Sequence, residues 1–110
     1  MMRQTINHYY QSGNLHVSKG TIIRYPFEYI GENWRNVMVY DCALEGQGMG
    51  LVVITGYYAG TPIVHLPEES GKLSISTSWL INNFTKWVED APLGEVFIIE
   101  KIMKTEDPFS

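Results

Sequence analysis

The chain has a single cysteine, Cys42, in 110 residues. An internal disulfide is therefore excluded, and a reducing compartment, the cytoplasm, is the expectation. Histidine is sparse too: His8, His16 and His65 are scattered, with no second histidine at ligand spacing, so no metal site is expected. No apolar run approaches the ~20 residues that cross a bilayer. The segment Met1–His8 carries one positive charge and no apolar stretch, unlike a secretory signal. Basic residues are also few, 8 Lys and Arg against 12 Asp and Glu, for a net charge of -4. The basic excess or stripe that marks a nucleic-acid binder is missing.

What is present is enough for one core. A hydrophobic share of 45% over this length suits a single domain spanning 1–110. Residues 1–12 and 105–110 are expected to be loosely ordered. The charges are unevenly placed: between Arg35 and Lys72 there is no lysine or arginine, while Asp41, Glu45, Glu68 and Glu69 fall inside that window. Such a region attracts a basic partner; an ordinary solvated acidic surface is the plainer alternative.

Gly20–Tyr25 reads as a short strand closed by Pro26, which cannot donate to a ladder. Tyr29–Arg35, punctuated by Gly31 and Asn33, reads as a loop with Trp34 folding back onto the core. Asn36–Leu44 alternates as a strand, placing Val37, Val39, Asp41 and Ala43 on one side and Met38, Tyr40, Cys42 and Leu44 on the other. Glu45–Gly50 holds three glycines; because a β-branched strand, Leu51–Thr55, follows rather than a helix, it reads as a hairpin turn and not a phosphate loop. Gly56–Gly60 reads as a bend, Thr61–Leu66 as a strand and Pro67–Lys72 as an exposed turn.

One segment has a clear helical period. Ser76, Thr77 or Ser78 can cap it, and Leu80, Ile81, Phe84, Trp87 and Val88 fall within about 120° of arc, a core stripe. Trp79 lies outside that arc and is a candidate surface aromatic. Pro92 discourages continuation, and Gly94–Met103 reads as a final strand, apolar on both faces and hence central. The sum is an α+β domain: a predominantly antiparallel sheet of about five strands with one helix from the C-terminal half on one face.

No catalytic constellation emerges. Cys42 among apolar neighbours reads as a small buried hydrophobe. His65 is placed on the outer face of an edge strand, with Asp41 or Glu45 as conceivable orienting carboxylates. No Gly-x-Ser-x-Gly elbow occurs. Neither an enzyme nor a cofactor is expected. The candidate residues are therefore partner-binding ones: Asp41, Glu45, Tyr57, Tyr58, Glu68, Glu69 and Trp79. Tyrosines beside carboxylates on a bend suit a protein interface; two half-buried sheet tyrosines are the alternative.

The segments Val37–Cys42, Leu51–Gly60, Val64–Ser70 and Ile75–Trp87, above all Trp-Leu-Ile-Asn-Asn-x-x-Lys-Trp and Gly-Tyr-x-Ala-Gly, resemble immunity family forty-five, a group of bacterial immunity proteins. Where a further tryptophan is expected after Asn83, this chain has Phe84, which keeps an aromatic on the core stripe. The resemblance covers roughly residues 20 to 103. It implies a cytoplasmic protein, monomeric in a 1:1 complex, that binds the C-terminal toxin domain of a polymorphic or contact-dependent inhibition effector. Such toxins are often nucleases with basic clefts. A sheet-based binding or assembly module unrelated to toxins is the alternative, and a small enzyme using His65 a more distant one.

Overall fold

The computed structural model describes residues 3–42 and 45–100. Its elements are β1 (Arg3–Thr5), α1 (Ile6–Gln11), β2 (His16–Val17), β3 (Ile22–Tyr29), β4 (Glu32–Tyr40), β5 (Gln47–Val53), β6 (Pro62–Pro67), β7 (Ile75–Ser76), α2 (Thr77–Trp87) and β8 (Phe97–Ile99). A six-stranded sheet runs in the order β1-β8-β3-β4-β5-β6, and β2 pairs with β7 in a small second sheet. Every pairing is antiparallel.

Alternation decides which face is inside. Ile23, Tyr25, Val37, Val39, Leu51, Val53 and Ile98 are all buried and share one face by register. α2 lays Leu80 and Phe84 on that face, and the Phe84 ring meets Tyr25 edge-on at 5.4 Å. Burying each such side chain contributes roughly 1.5–3 kcal/mol. The helix starts where Ser76 Oγ accepts the Trp79 N–H, and its first N–H, from Thr77, is taken by the Leu15 carbonyl beside β2. It ends at Trp87, with the Val88 N–H returning to the Phe84 carbonyl.

The opposite face carries no helix among the described residues. Ile22, Arg24, Trp34, Asn36, Met38, Tyr40, Val52, Phe97 and Ile99 line it, each half-buried. Cation–aromatic stacks hold its long side chains down: Arg3 sits 4.3 Å from the Phe97 ring and Arg24 4.7 Å from the Trp34 ring.

The architecture is the expected α+β one, with differences that have physical reasons. The sheet has six strands because the N-terminus, expected to be loose, adds β1 beside β8 and continues into α1, whose Ile6 and Tyr9 are buried. Tyr29–Arg35 is not a loop: Tyr29 pairs with Glu32 across the two-residue turn Ile30–Gly31, where Gly31 adopts φ 77°. Trp34 consequently sits in β4 on the uncovered face rather than on the core, 6.2 Å from Phe97. β3 continues through Pro26, because β8 pairs only with Ile22, Ile23 and Arg24; past that point β3 has one neighbour, and a missing donor leaves no vacant ladder position. The glycine run is largely strand. Gly48 and Gly50 are buried within β5, and a Cβ on Gly50 would lie 2.6 Å from the Tyr40 ring. β8 is central as expected, but residues 101–110, which include the end of the expected strand and the expected loose tail, lie outside the described residues, as do Ala43 and Leu44.

Candidate functional site

The predicted partner-binding residues fall into three places. β4 runs from one end of the sheet to the other over nine residues, a span of roughly 25 Å at the usual strand rise. Tyr57 and Tyr58 lie at the end where β4 begins, in the β5–β6 loop. Asp41, Glu45, Glu68 and Glu69 lie at the far end, just beyond β4, before β5 and after β6. Trp79 lies on α2, half-buried, packed on the core with its ring 6.2 Å from that of Trp87.

The tyrosine end is built from two turns. In the β5–β6 loop the Ala59 N–H bonds the Gly56 carbonyl and the Thr61 N–H bonds the Tyr58 carbonyl. These consecutive turns put Tyr57 and Tyr58 at the apex, with Gly56 at φ 82° and Gly60 at φ 91°, conformations that glycine adopts without penalty. Val53 closes the base, its carbonyl accepting the Gly60 N–H and its N–H bonding Thr61. The neighbouring β3–β4 turn supplies Tyr29, Ile30 and Glu32. Glu32 Oε2 accepts the Tyr57 N–H at 3.4 Å, so a carboxylate ties the two turns together. Three tyrosine rings pack there, Tyr29 at 6.1 Å from Tyr57 and 5.2 Å from Tyr58, with Tyr57 and Tyr58 5.1 Å apart.

This cluster is open to solvent. Tyr57 is 78% exposed, Ile30 90%, and Tyr29 and Tyr58 37% each. The Tyr58 and Tyr29 hydroxyls share a 3.4 Å hydrogen bond; that bond, followed by the charge of Tyr58, burial and the charge of Glu32, raises the Tyr29 pKa above the ordinary tyrosine value. Beside Tyr29, a groove of about 370 Å³ between β3 and the end of α2 is lined by Pro26, Phe27, Glu28, Glu89 and Asp90. Among the described residues, no salt bridge neutralises its three carboxylates. The Arg35 guanidinium lies over the Phe27 ring, 3.5 Å from its centroid.

The acidic end is held by close backbone packing. Cys42, just past β4 and half-buried, donates its S–H to the Gly48 carbonyl at 3.1 Å. The turn after β6 folds onto the same glycine: a Cβ there would meet the Gly71 and Pro67 carbonyl oxygens at 2.6 and 2.8 Å. Asp41 and the Glu68–Glu69 pair, 27 and more positions apart in the chain, are thereby gathered on either side of Gly48. Glu68 pairs with Lys72 at 3.4 Å on the surface, which neutralises part of that charge.

His65 lies on the edge strand β6, facing Tyr40 rather than a carboxylate: its Nε2 is 2.9 Å from the Tyr40 hydroxyl, whose pKa is raised by burial and by nearby Cys42. Among the described residues no group of three or more His, Cys, Asp or Glu side chains is placed to hold a metal ion, and no helix is long and apolar enough to cross a membrane.

A model of the family described as immunity protein 45 matches residues 9–98. The chain belongs to the immunity protein 45 family. The matched span runs from within α1 to within β8 and takes in both ends of the sheet. No curated protein and no solved structure matches the chain. Immunity membership directs attention to surfaces that bind a protein. On that view Tyr29, Ile30, Glu28, Glu89 and Asp90 are the residues that sequence reasoning missed. The pair Ile30–Gly31 between strand-like runs was the available signal for a hairpin. Nothing in the order of residues announces that Tyr29 meets Tyr57, or that Asp90 lines one groove with Glu28.

Proposed function

We propose that this immunity protein neutralises the toxin domain of a cognate effector by binding it directly, through steric occlusion and charge complementarity. The observation that carries the reading is the family match over residues 9–98. A net charge of -4 supports it, since an acidic inhibitor suits a toxin with a basic cleft, as a nuclease has. The complex is a 1:1 pairing formed in the cytoplasm of the cell that the protein guards, against an effector of the contact-dependent inhibition kind. The protein works without catalysis. Asp41, Glu45, Glu68 and Glu69 contribute a long-range field that steers encounter, because exposed charges act mainly on association rate.

The test is co-expression with the toxin domain encoded beside it. Protected growth and co-purification of the two proteins are expected. Loss of protection with no complex formed defeats the reading. The sheet face carrying Arg24, Trp34 and Phe97 without a covering helix favours a second reading, an assembly module unrelated to toxins. A neighbouring gene that encodes nothing poisonous selects that reading instead. The histidine enzyme is tested by His65→Ala, which is expected to protect as fully as the parent.

A further inference from the structure

We propose that the tyrosine end is the anchor of the toxin interface: Tyr57 and Ile30 enter an apolar pocket of the toxin while a lysine or arginine beside that pocket enters the groove of Glu28, Glu89 and Asp90. This rests on the neutralisation reading above and adds the surface, its polarity and its chemistry.

Four observations converge on this surface. Large apolar side chains at 78% and 90% exposure, Tyr57 and Ile30, stand on two turns joined by the Tyr29–Tyr57 ring contact, a placement that costs stability in isolation and is recovered when a partner covers it. The rings are already ordered by mutual packing and by the Glu32 brace, so docking forfeits little side-chain freedom. Tyrosine is the residue type that concentrates binding energy in small buried areas. The adjoining groove is lined by three carboxylates, and a cation on the partner would complete it. A basic protein surface matches both parts; a second copy of this acidic chain would bring further carboxylates to the groove and matches only one.

The two ends of the sheet thus divide the work. The far acidic end lies roughly 25 Å away along β4, at or beyond the rim of an ordinary interface centred on the tyrosines. It affects how fast the partners meet, and the tyrosines decide how long they stay.

The test measures association and dissociation rates of the full chain with its purified toxin domain. Tyr57→Ala and, separately, Ile30→Asp are expected to speed dissociation about 30-fold or more, the range of a binding hot spot, with the free protein still folded and its thermal midpoint lowered by only a few degrees as ring packing is lost. Tyr57→Phe, which keeps the ring, is expected to stay within about threefold on the same grounds. Glu28→Lys with Asp90→Lys is expected to weaken binding in a manner that shrinks with added salt. Dissociation rates within about twofold of the parent for both Tyr57→Ala and Ile30→Asp, in a protein that still protects cells, overturn the anchor and leave neutralisation standing. A parent protein that neither binds nor protects overturns neutralisation, and the anchor with it. A parent that sediments as a dimer, with the tip variants monomeric and toxin binding unchanged, assigns the tip to self-association and also overturns the anchor.

Discussion

The two ends of the sheet solve opposite problems. At the acidic end the backbone itself is packed: Gly48 admits the carbonyls of Pro67 and Gly71 at distances no side chain allows, and Cys42 and Ser70 add hydrogen bonds at 3.1 and 2.6 Å. The charged side chains stand exposed outside this scaffold, Glu68 paired with Lys72. At the tyrosine end the side chains make the structure, three rings and one carboxylate linking two turns, and the most exposed of them are apolar. A rigid base with solvated charges suits long-range attraction, whereas a preformed aromatic cluster suits short-range holding. The lesson is that the exposed carboxylates obvious in the sequence and the exposed aromatic cluster occupy different ends of the molecule.

The largest expected effect removes what both ends share. Phe84→Ala leaves a hole opposite Tyr25 under the sheet and is expected to cost about 3–5 kcal/mol of stability, measured by denaturant unfolding. Equal loss of both ends in hydrogen exchange would show that α2 supports them jointly; survival of one end would show that it folds on local contacts.

Next comes alkaline pH. Burial pushes the Tyr25 hydroxyl up to about 12, with the Arg35 guanidinium offsetting part of the effect. The hydroxyl makes no hydrogen bond among the described residues. Since the folded state holds this proton more tightly than the unfolded chain, the contribution is fully present below pH ~10 and is lost as pH climbs from ~10 to ~12. A shift of that size corresponds to about 2–3 kcal/mol. Unfolding curves across this range are expected to fall for the parent and to be much flatter for Tyr25→Phe. Equal slopes would mean that another group carries the alkaline transition.

Gly48→Ala separates the ends more sharply. The added methyl group meets two backbone oxygens, so the turn after β6 must move, at a cost of roughly 1–3 kcal/mol. Exchange protection is expected to drop around Cys42 and Glu68–Gly71 and to hold around Tyr57. The smallest effect is electrostatic. Glu68→Lys with Glu69→Lys is expected to slow toxin association by about tenfold at low salt, with dissociation nearly unchanged and the difference fading as salt is added. An unchanged rate and salt slope would remove the acidic end from the encounter.

Much of the fold was legible because periodicity reports burial. Leu80, Phe84 and a capping hydroxyl among Ser76, Thr77 and Ser78 announce α2, and Val37–Val39 and Leu51–Val53 announce the core-facing strands. The glycines misled because a glycine marks either a turn or a close approach, and only the neighbour tells which: Gly48 and Gly50 are in a strand because Pro67, Gly71 and Tyr40 press on them. Trp34 misled because a large aromatic suggests the core, while its register with Pro26 places it on the uncovered face. Of the candidate site, Tyr57 and Tyr58 were readable as a pair on a glycine-flanked bend, with their exposure left open, but their companions were not.

The order of residues alone determined the class of this protein: net acidity, no disulfide, one amphipathic helix and a run of alternating strands, since each of these depends on composition or on neighbours within a few positions. The tertiary structure decided which side chains meet. Tyr29 packs on Tyr57, Glu32 braces the Tyr57 backbone, and Asp90 joins Glu28 in one groove. Strand register and helix placement bring such pairs together across 25 or more positions of chain, and no local pattern encodes that distance.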